Sequence, residues 1–325
     1  MLRKLPSLGL QMLALAVALA AAPARALNHD LVVPAIAAGP FAVACSNLAQ
    51  DPARIAQLGG APIDYWEGRP SFGQSRYITQ ILTDLMSVVH FDAPIPDERR
   101  YYPQFAGGTV AFVAIVCHPT ARANNDPDYA LPGSQDLIPH MQLAGAPPKL
   151  ISASEYLQTL GLPVNGVGIA PARLPLIAFS HGLSGSPISP GYLGAMVQLA
   201  SQGYMVGAVF HADQRFSRVR VQDLADFWYL LRNFDLVVEM QLMRPLSIKA
   251  MIDQLLLDPG FAPGIDPDRI GGFGASLGGE AMMHLLGARI TTTIGLGCHE
   301  TVRDPRIKAA VGFVPYSGQS FLPAF

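Results

Sequence analysis

Charged residues are scarce in this chain of 325 residues. They make up 14% of it, and 22 Lys and Arg nearly balance 24 Asp and Glu, which leaves a formal charge of −2. No run of Lys or Arg occurs, so the sequence gives no electrostatic reason to expect nucleic acid or an anionic membrane surface as a partner. Half of the residues are hydrophobic, which is enough for one large core, and α/β folds of this size are routinely one domain.

Long apolar runs are scarce as well. Residues 12–22 form an unbroken apolar run that follows Arg3 and Lys4 and precedes the small-x-small sequence of residues 24–26. This three-part pattern predicts a signal peptide over residues 1–26, cleaved after Ala26. A membrane anchor is the alternative, but a span needs roughly 20 apolar residues. We therefore expect a secreted or periplasmic protein that has no membrane span in its mature form.

Cysteines number only three: Cys45, Cys117 and Cys298. In an oxidising compartment two of them can form a bridge, and the third is left over. Cys45 and Cys117 each end a strand-like run, and adjacent strands could bring them together, so we predict a Cys45–Cys117 disulfide. Three separate buried thiols are the alternative. No spacing of Cys and His matches a zinc site, so neither a metal nor any other cofactor is expected.

The first half of the chain has few long periodic segments. Residues 27 to about 150 are rich in Pro, Gly, Asn and Tyr. Within them, residues 78–89 have the pattern of a helix and residues 109–117 that of a buried strand. The prolines, glycines and asparagines of residues 121–149 predict a long surface loop.

The second half alternates strand-like and helix-like segments. Strands are predicted at residues 174–180, 205–210, 269–273 and 307–314. Helices are predicted at residues 189–202, 221–243, 247–257 and 277–286, with a break at Pro245. Strands separated by helices indicate a mostly parallel central sheet with helices on both faces.

A Gly-x-Ser-x-Gly sequence runs from Gly274 to Gly278, between the predicted strand at residues 269–273 and the helix that follows. This context is typical of a nucleophile elbow, where flanking glycines permit a tight turn that lifts the hydroxyl of Ser276 above the sheet. A glycine-rich turn that cradles a phosphate is the alternative, but that fingerprint needs a glycine where Leu277 stands. We therefore predict Ser276 to be a nucleophile.

A second glycine-containing turn, from His181 to Gly185, follows the predicted strand at residues 174–180. In hydrolases that have a nucleophile elbow, one oxyanion-hole donor is the backbone N–H after the nucleophile, and the other lies in the loop after the third strand. These donors would be the amides of Leu277 and Leu183. A histidine in the second turn would shape the loop rather than transfer a proton.

Six segments carry a family resemblance: residues 179–183, 199–204, 211–213, 244–245, 268–271 and 274–280. Through them the chain resembles the platelet-activating-factor acetylhydrolase and dienelactone-hydrolase-like branch of the α/β-hydrolases over about residues 105–325. The resemblance implies an α/β-hydrolase fold and a serine esterase whose partner is a small-molecule ester with a short acyl or lipid-like group. Residues 27–105 look like an N-terminal extension of the same domain, which would span residues 27–325.

The histidine and the acid of a catalytic triad are harder to assign. In this fold both follow the serine, the acid first. His284 stands eight positions after Ser276, about two helical turns away and out of hydrogen-bond reach. His299 and Glu300 lie in a predicted loop before the last predicted strand, where family members do not usually carry these groups. His211 and Asp213 precede the serine, so the chain order argues against triad roles for them.

The last predicted strand is followed by a segment that has no terminating helix. We expect the triad histidine and acid beyond Phe325, in a longer gene product that supplies the last strands of the sheet. The leading hypothesis is an exported serine esterase. A non-catalytic α/β-hydrolase remnant that binds an acyl ligand or a partner without turnover is the alternative, and a polyester- or cutin-degrading enzyme is a third reading. The oligomeric state is not indicated.

Overall fold

A computed structural model describes residues 37–46, 89–124, 128–130, 137–143, 148–183, 185, 187, 190–217, 223–291, 298–300 and 302–316. The predicted signal peptide lies outside these residues, and so do all but the last residue of the helix predicted at residues 78–89; that last residue, Val89, begins a strand. The described strands are β1 (Val43–Ser46), β2 (Val89–Pro94), β3 (Thr109–Pro119), β4 (Asp128–Ala130), β5 (Leu137–Leu143), β6 (Leu174–Ser180), β7 (Met205–Val209), β8 (Ile265–Ala275), β9 (Arg289–Thr291), β10 (Cys298–Glu300) and β11 (Ile307–Phe313). The described α-helices are α1 (Ala153–Thr159), α2 (Pro190–Ser201), α3 (Leu224–Arg232), α4 (Phe234–Leu257) and α5 (Leu277–Leu285).

Nine strands form one sheet in the order β11-β8-β6-β7-β3-β1-β5-β4, with β2 paired to β3. The four strands that follow residue 170 in this sheet, β6, β7, β8 and β11, are all parallel. β3 runs antiparallel to β7, β1 and β2. Helices follow three of the four parallel strands, as right-handed crossover connections require. The predicted α/β fold with a parallel central region is confirmed.

The sheet separates two hydrophobic clusters. On β6, Leu174, Leu176 and Ala178 belong to the cluster on one face, which also contains most of the buried side chains of α4. Phe179 belongs to the cluster on the other face, together with the buried side chains of α2. Successive side chains of a strand point to opposite faces, so a sheet covered on both sides needs strands that are apolar throughout. None of the described helices is long and apolar enough to cross a membrane.

Cys45 and Cys117 stand directly opposite each other in the antiparallel pair of β1 and β3. Their Cα atoms are 4.1 Å apart, and their sulfurs form a disulfide. Both residues are fully buried on the α2 side of the sheet. The bridge therefore joins the first described strand to the centre of the fold.

The surface loop predicted at residues 121–149 is wrong in part. Two of its segments form β4 and β5, and β5 pairs in parallel with β1. Proline and glycine signal turns through local conformation. Pro139, however, lies outside the residues of β5 that pair with β1 and where the pairing of β5 with β4 shifts register, and an irregularity of this kind tolerates a residue without an N–H. The pairing with β1, which is distant in sequence, decides the structure here.

The predicted helix break at Pro245 is also wrong. α4 continues through Pro245, and the break lies at Asn233, where φ is −121° and ψ is 37°. A proline inside a helix removes one hydrogen bond and crowds the preceding turn, at a cost of about 3 kcal/mol. α4 is buried along most of its length, so the burial of its apolar side chains offsets that cost.

Candidate active site

Ser276 lies at the turn between β8 and α5, as the Gly-x-Ser-x-Gly sequence predicts. Its φ of 53° and ψ of −121° are unusual for a residue with a side chain. Both backbone groups are bonded to the chain around the end of β11: the N–H donates to Phe313 O at 3.0 Å, and the carbonyl accepts from Tyr316 N at 2.9 Å. These bonds hold the turn in its strained conformation and leave the side chain exposed.

The two glycines of the turn are required by close backbone contacts. A Cβ on Gly274 would lie 2.1 Å from Gly278 O, and a Cβ on Gly278 would lie 1.9 Å from Ser180 O. Neither distance is possible for a real side chain. The glycines therefore allow the first turn of α5 to pack against the ends of β8 and β6.

The oxyanion loop, which we define as residues 181–183, lies beside Ser276. In the parallel pair of β6 and β8, Ser180 is opposite Gly274, so Gly182 and Ser276 each follow that pair by two residues. A Cβ on Gly182 would lie only 3.3 Å from Ser276 Cβ. Adjacent parallel strands thus bring the two predicted turns into contact, although they are almost 100 residues apart in sequence.

The amides of Leu183 and Leu277 belong to these two turns. Leu277 is the first residue of α5, where backbone N–H groups have no partner within the helix. Neither the N–H of Leu183 nor that of Leu277 has a hydrogen-bond partner among the described residues. Two unpaired donors next to a serine hydroxyl are the arrangement that an oxyanion hole requires.

His211 is held in one tautomer by its neighbours. Ser247 Oγ donates to Arg244 O at 2.8 Å, so it accepts from His211 Nδ1 at 3.1 Å. His211 Nε2 then carries a lone pair and accepts from Ser180 Oγ at 2.8 Å. Burial and the nearby Arg244 charge lower the pKa of His211 well below its ordinary value. The ring is therefore neutral, and its lone pair is already occupied.

His181 is also neutral and committed to the backbone. Its Nδ1 donates to Gly182 O at 2.7 Å, and its Nε2 faces the N–H of His211 at 3.5 Å. Burial, followed by the positive charge of Arg244, lowers the pKa of His181 to about 4. His181 and His211 therefore shape the site, and neither has a free lone pair to accept the proton of Ser276.

Two histidines, His284 and His299, follow the serine in the sequence. His284 lies near the end of α5, where its Nδ1 donates to Ala288 O at 3.1 Å. His299 and Glu300 form part of β10 rather than the predicted loop, because they pair with β9. No described side chain hydrogen-bonds to Ser276 Oγ, so the part of the chain that the structure describes contains no partner that activates this hydroxyl.

A buried ion pair lies under the oxyanion loop. Arg244 donates to both oxygens of Asp213, from Nε to Oδ1 at 2.8 Å and from Nη2 to Oδ2 at 2.6 Å. The same guanidinium donates from Nη1 to His181 O and from Nη2 to Gly182 O, the latter at 3.1 Å. Arg244 and Asp213 are 1% and 4% exposed, so neither can touch a substrate directly.

Glu280 is another buried ionisable group of the site, and it lies one helical turn after Ser276. Both of its carboxylate oxygens accept from Gln241 Nε2, at 3.1 and 3.3 Å. Burial raises the pKa of Glu280 to about 7, although the hydrogen bond with Gln241 and the charge of Arg244 act in the opposite direction. The carboxyl group therefore changes charge near neutral pH.

An apolar cavity of about 420 Å³ lies between α2 and the ends of β8 and β11. Its lining residues are Gly191, Tyr192, Ala195, Phe273, Ala275 and Phe313. Ala275 directly precedes the serine, and Tyr192 Oη accepts from Gly182 N at 3.2 Å. The cavity thus borders both turns of the site. No three His, Cys, Asp or Glu side chains cluster in a metal-binding arrangement within the described ranges.

The side chains that support the site were not predicted from the sequence. Arg244 was noted only as part of the family resemblance, Asp213 only there and as a residue that the chain order excludes from the triad, and Tyr192, Gln241 and Ser247 carried no signal. The buried arginine was the detectable one, because a charge in a helix that is otherwise largely apolar needs a partner.

A family model described as platelet-activating factor acetylhydrolase, isoform II, matches residues 158–224, which include β6 and the oxyanion loop. No curated protein matches the chain. A ferulic acid esterase from Streptomyces cinnamoneus is similar in structure at 20% identity and a TM-score of 0.30, over 63% of this chain and 56% of that one.

A protein assigned as a dienelactone hydrolase from Klebsiella pneumoniae subsp. pneumoniae MGH 78578 is similar at 14% identity and a TM-score of 0.29. The match covers 70% of this chain and 60% of that one. The chain thus spans less than two thirds of the length of each of these two structures.

The parallel sheet, the elbow at Ser276 and the loop beside it give the chain the architecture of the α/β-hydrolase fold. The family match over residues 158–224 supports the more particular resemblance to platelet-activating factor acetylhydrolase.

Proposed function

We propose that this protein is an exported serine hydrolase that cleaves carboxylic esters with short acyl or lipid-like groups through an acyl-enzyme on Ser276. The observation that carries the proposal is the contact between the elbow and the oxyanion loop. A serine held at a φ of 53° lies beside a loop in which a Cβ on Gly182 would be only 3.3 Å from Ser276 Cβ. The family match over residues 158–224 supports the class of substrate.

The reaction proceeds in two halves. Ser276 Oγ forms a bond to the ester carbonyl carbon and gives up its proton to a general base, while the carbonyl electrons move onto the oxygen. The amides of Leu183 and Leu277 donate to that oxyanion. The C–O bond to the alcohol then breaks and the alcohol leaves with a proton. Water attacks the acyl-enzyme in the same way and releases the carboxylic acid.

The general base is expected outside the described side chains. His181 and His211 are neutral, but both of their ring nitrogens have partners, and His284 is bonded to Ala288 O. We therefore keep the expectation that the histidine and its acid follow Ser276 in the chain order typical of this fold.

The test is hydrolysis of p-nitrophenyl acetate, butyrate and octanoate by the full-length protein. Ser276→Ala is expected to lower kcat/KM by about 10³-fold or more, because the covalent step is lost. Ser154→Ala, which changes a serine on α1, is the matched control and should leave kcat/KM unchanged. Full activity of Ser276→Ala on these esters would overturn the proposal.

A second candidate is a non-catalytic protein that binds an acyl ligand or a partner. The observation that favours it is the lack of a described hydrogen-bond partner for Ser276 Oγ. A full-length protein that binds butyrate or octanoate in calorimetry, but hydrolyses none of the three esters, would favour this candidate over the esterase.

A further inference from the structure

We propose that Arg244, held by Asp213, is a positioning residue that aims the amide of Leu183 into the oxyanion hole. The inference rests on the proposed function, because the donor that it positions is the proposed oxyanion donor. It assigns a role to a buried ion pair that lies beneath the reacting atoms without touching them.

The geometry of the peptide bond carries the argument. A trans peptide group is planar, and its C=O and N–H point in opposite directions. Gly182 O and Leu183 N belong to one such group, and Gly182 O accepts from Arg244 Nη2 at 3.1 Å. Because the carbonyl points down to the buried guanidinium, the N–H of Leu183 points away from it. That N–H has no partner among the described residues.

The preceding peptide group obeys the same rule. His181 O accepts from Arg244 Nη1, so the N–H of Gly182 points away from the guanidinium, and it donates to Tyr192 Oη at 3.2 Å. One guanidinium thus contacts the carbonyls of two consecutive peptide groups. His181 Nδ1 and the N–H of Gly185 also donate to Gly182 O, at 2.7 and 3.2 Å, but Arg244 is the group that bonds both carbonyls.

Asp213 fixes the guanidinium in turn. A bidentate contact between carboxylate and guanidinium sets both the position and the plane of the arginine head group. Asp213 also neutralises a charge that is only 1% exposed, which would otherwise be costly to bury. An ammonium group has no planar fork, so lysine could not serve two carbonyls and a carboxylate in this geometry.

The decisive variant separates positioning from stability. In Arg244→Met/Asp213→Leu both charges are removed together, so no unpaired charge is buried and the fold is expected to survive. Its kcat for p-nitrophenyl butyrate is expected to fall about 10- to 100-fold, with KM changed by less than about threefold, because the misaligned donor acts in the transition state. Arg244→Lys should show the same pattern more weakly.

Arg306→Lys is the matched control. Arg306 is likewise an ion-paired arginine, but its partners are the carboxylates of Asp304 and Asp253, and no hydrogen bond among the described residues joins it to the oxyanion loop. The Arg306→Lys variant should retain the full kcat of the wild type. A purely structural role for Arg244 predicts a lower stability and an unchanged kcat in the folded double variant, and that result would overturn the proposal.

Hydrogen–deuterium exchange tests the positioning without turnover. The amide of Gly182 donates to Tyr192 Oη on α2, and the amide of Gly185 donates to Gly182 O in the oxyanion loop. In Arg244→Met/Asp213→Leu a peptide that contains them should exchange at least about tenfold faster, while peptides from β8 and α5 keep their rates. Unchanged exchange would overturn the inference. Faster exchange in a protein whose wild type hydrolyses no ester would support the positioning role and contradict the proposed function instead.

Discussion

Ser276 occupies a region of φ and ψ that residues with side chains rarely adopt, and such a conformation costs of order 1–3 kcal/mol. Its backbone hydrogen bonds to Phe313 and Tyr316 offset that cost. The strain exposes the hydroxyl at the end of a strand, next to two amides that have no described partner. A single residue thus carries both the energetic cost and the proposed chemistry.

The buried carboxyl group of Glu280 makes the stability of the folded protein depend on pH. Its pKa is raised from 4.5 to about 7 by burial, so the folded protein holds a proton that the unfolded chain releases. Stability from this group is therefore lost as the pH rises from about 4.5 to 7, by a few kcal/mol at most. Glu280→Gln keeps the contact with Gln241 and has no charge to bury. Its gain in unfolding free energy over wild type should be larger at about pH 8 than at about pH 5, measured by urea denaturation.

Arg244, Gln241 and Tyr316 are the polar and charged groups that face this carboxyl. An equal effect of Glu280→Gln at both pH values would show that Glu280 ionises normally in the folded protein. Gln241→Leu is a useful companion variant, because losing the hydrogen bond should raise the pKa of Glu280 further and steepen the pH dependence.

Among the elements, α5 depends on a close approach to β6. Gly278→Ala would place a Cβ 1.9 Å from Ser180 O, a backbone atom that cannot move without shifting the strand. We expect a loss of unfolding free energy of about 3 kcal/mol or more, measured by urea denaturation. Gly194→Ala in α2 is the control, since a Cβ there meets nothing within 4 Å. It should stabilise the protein by about 0.5–1 kcal/mol. Equal stability of the two variants would contradict this packing.

Elements with a strong local signal were predictable from the sequence. The strands β6, β7 and β11 and the helix α5 follow from apolar runs and from the glycines that bound them. The full length of the helix α4 was not predictable in this way, because Pro245 is a local helix-breaking signal that burial overrides. β5 was missed for a similar reason. Its local sequence signals a loop, but its pairing with β1 makes it a strand.

The residues of the site likewise include some that the sequence predicts and some that it does not. Ser276, Leu183 and Leu277 were indicated by motif and chain order. The side chains that support them, Arg244 and Asp213, are 31 residues apart, and nothing local links them. Their meeting depends on the packing of α4 against the sheet, which a single sequence does not specify.

At the scale of the whole molecule, three fully buried histidines set the response to acid. Burial lowers the pKa of His118 and of His181 to about 4, and that of His211 well below its ordinary value of 6.5. The unfolded chain binds protons at these residues below about pH 6.5, and the folded protein does not. Stability is therefore lost as the pH falls below about 6.5, by up to about 3 kcal/mol each for His118 and His181.

Glu239 and Glu280, whose pKa values burial raises, act in the opposite direction over part of this range, but they oppose these three histidines and also His284, whose pKa burial lowers too. We expect the unfolding free energy in urea to be lower at about pH 5 than at about pH 7. His118→Gln should reduce that difference, because it removes a group that is protonated at pH 5 only in the unfolded chain. His118 is suited to this test because its ring is buried beside Phe261, outside the site. A protein as stable at pH 5 as at pH 7 would show that these histidines are protonated in the folded state.

The most direct test of the central claim is covalent labelling of the full-length protein with a fluorophosphonate, followed by mass-spectrometric mapping of the modified residue. Such reagents react with an activated serine and lose fluoride. The account predicts one adduct, on Ser276, that is absent in Ser276→Ala and forms more slowly in Arg244→Met/Asp213→Leu. An unlabelled wild-type protein, or an adduct that persists in Ser276→Ala, would contradict it.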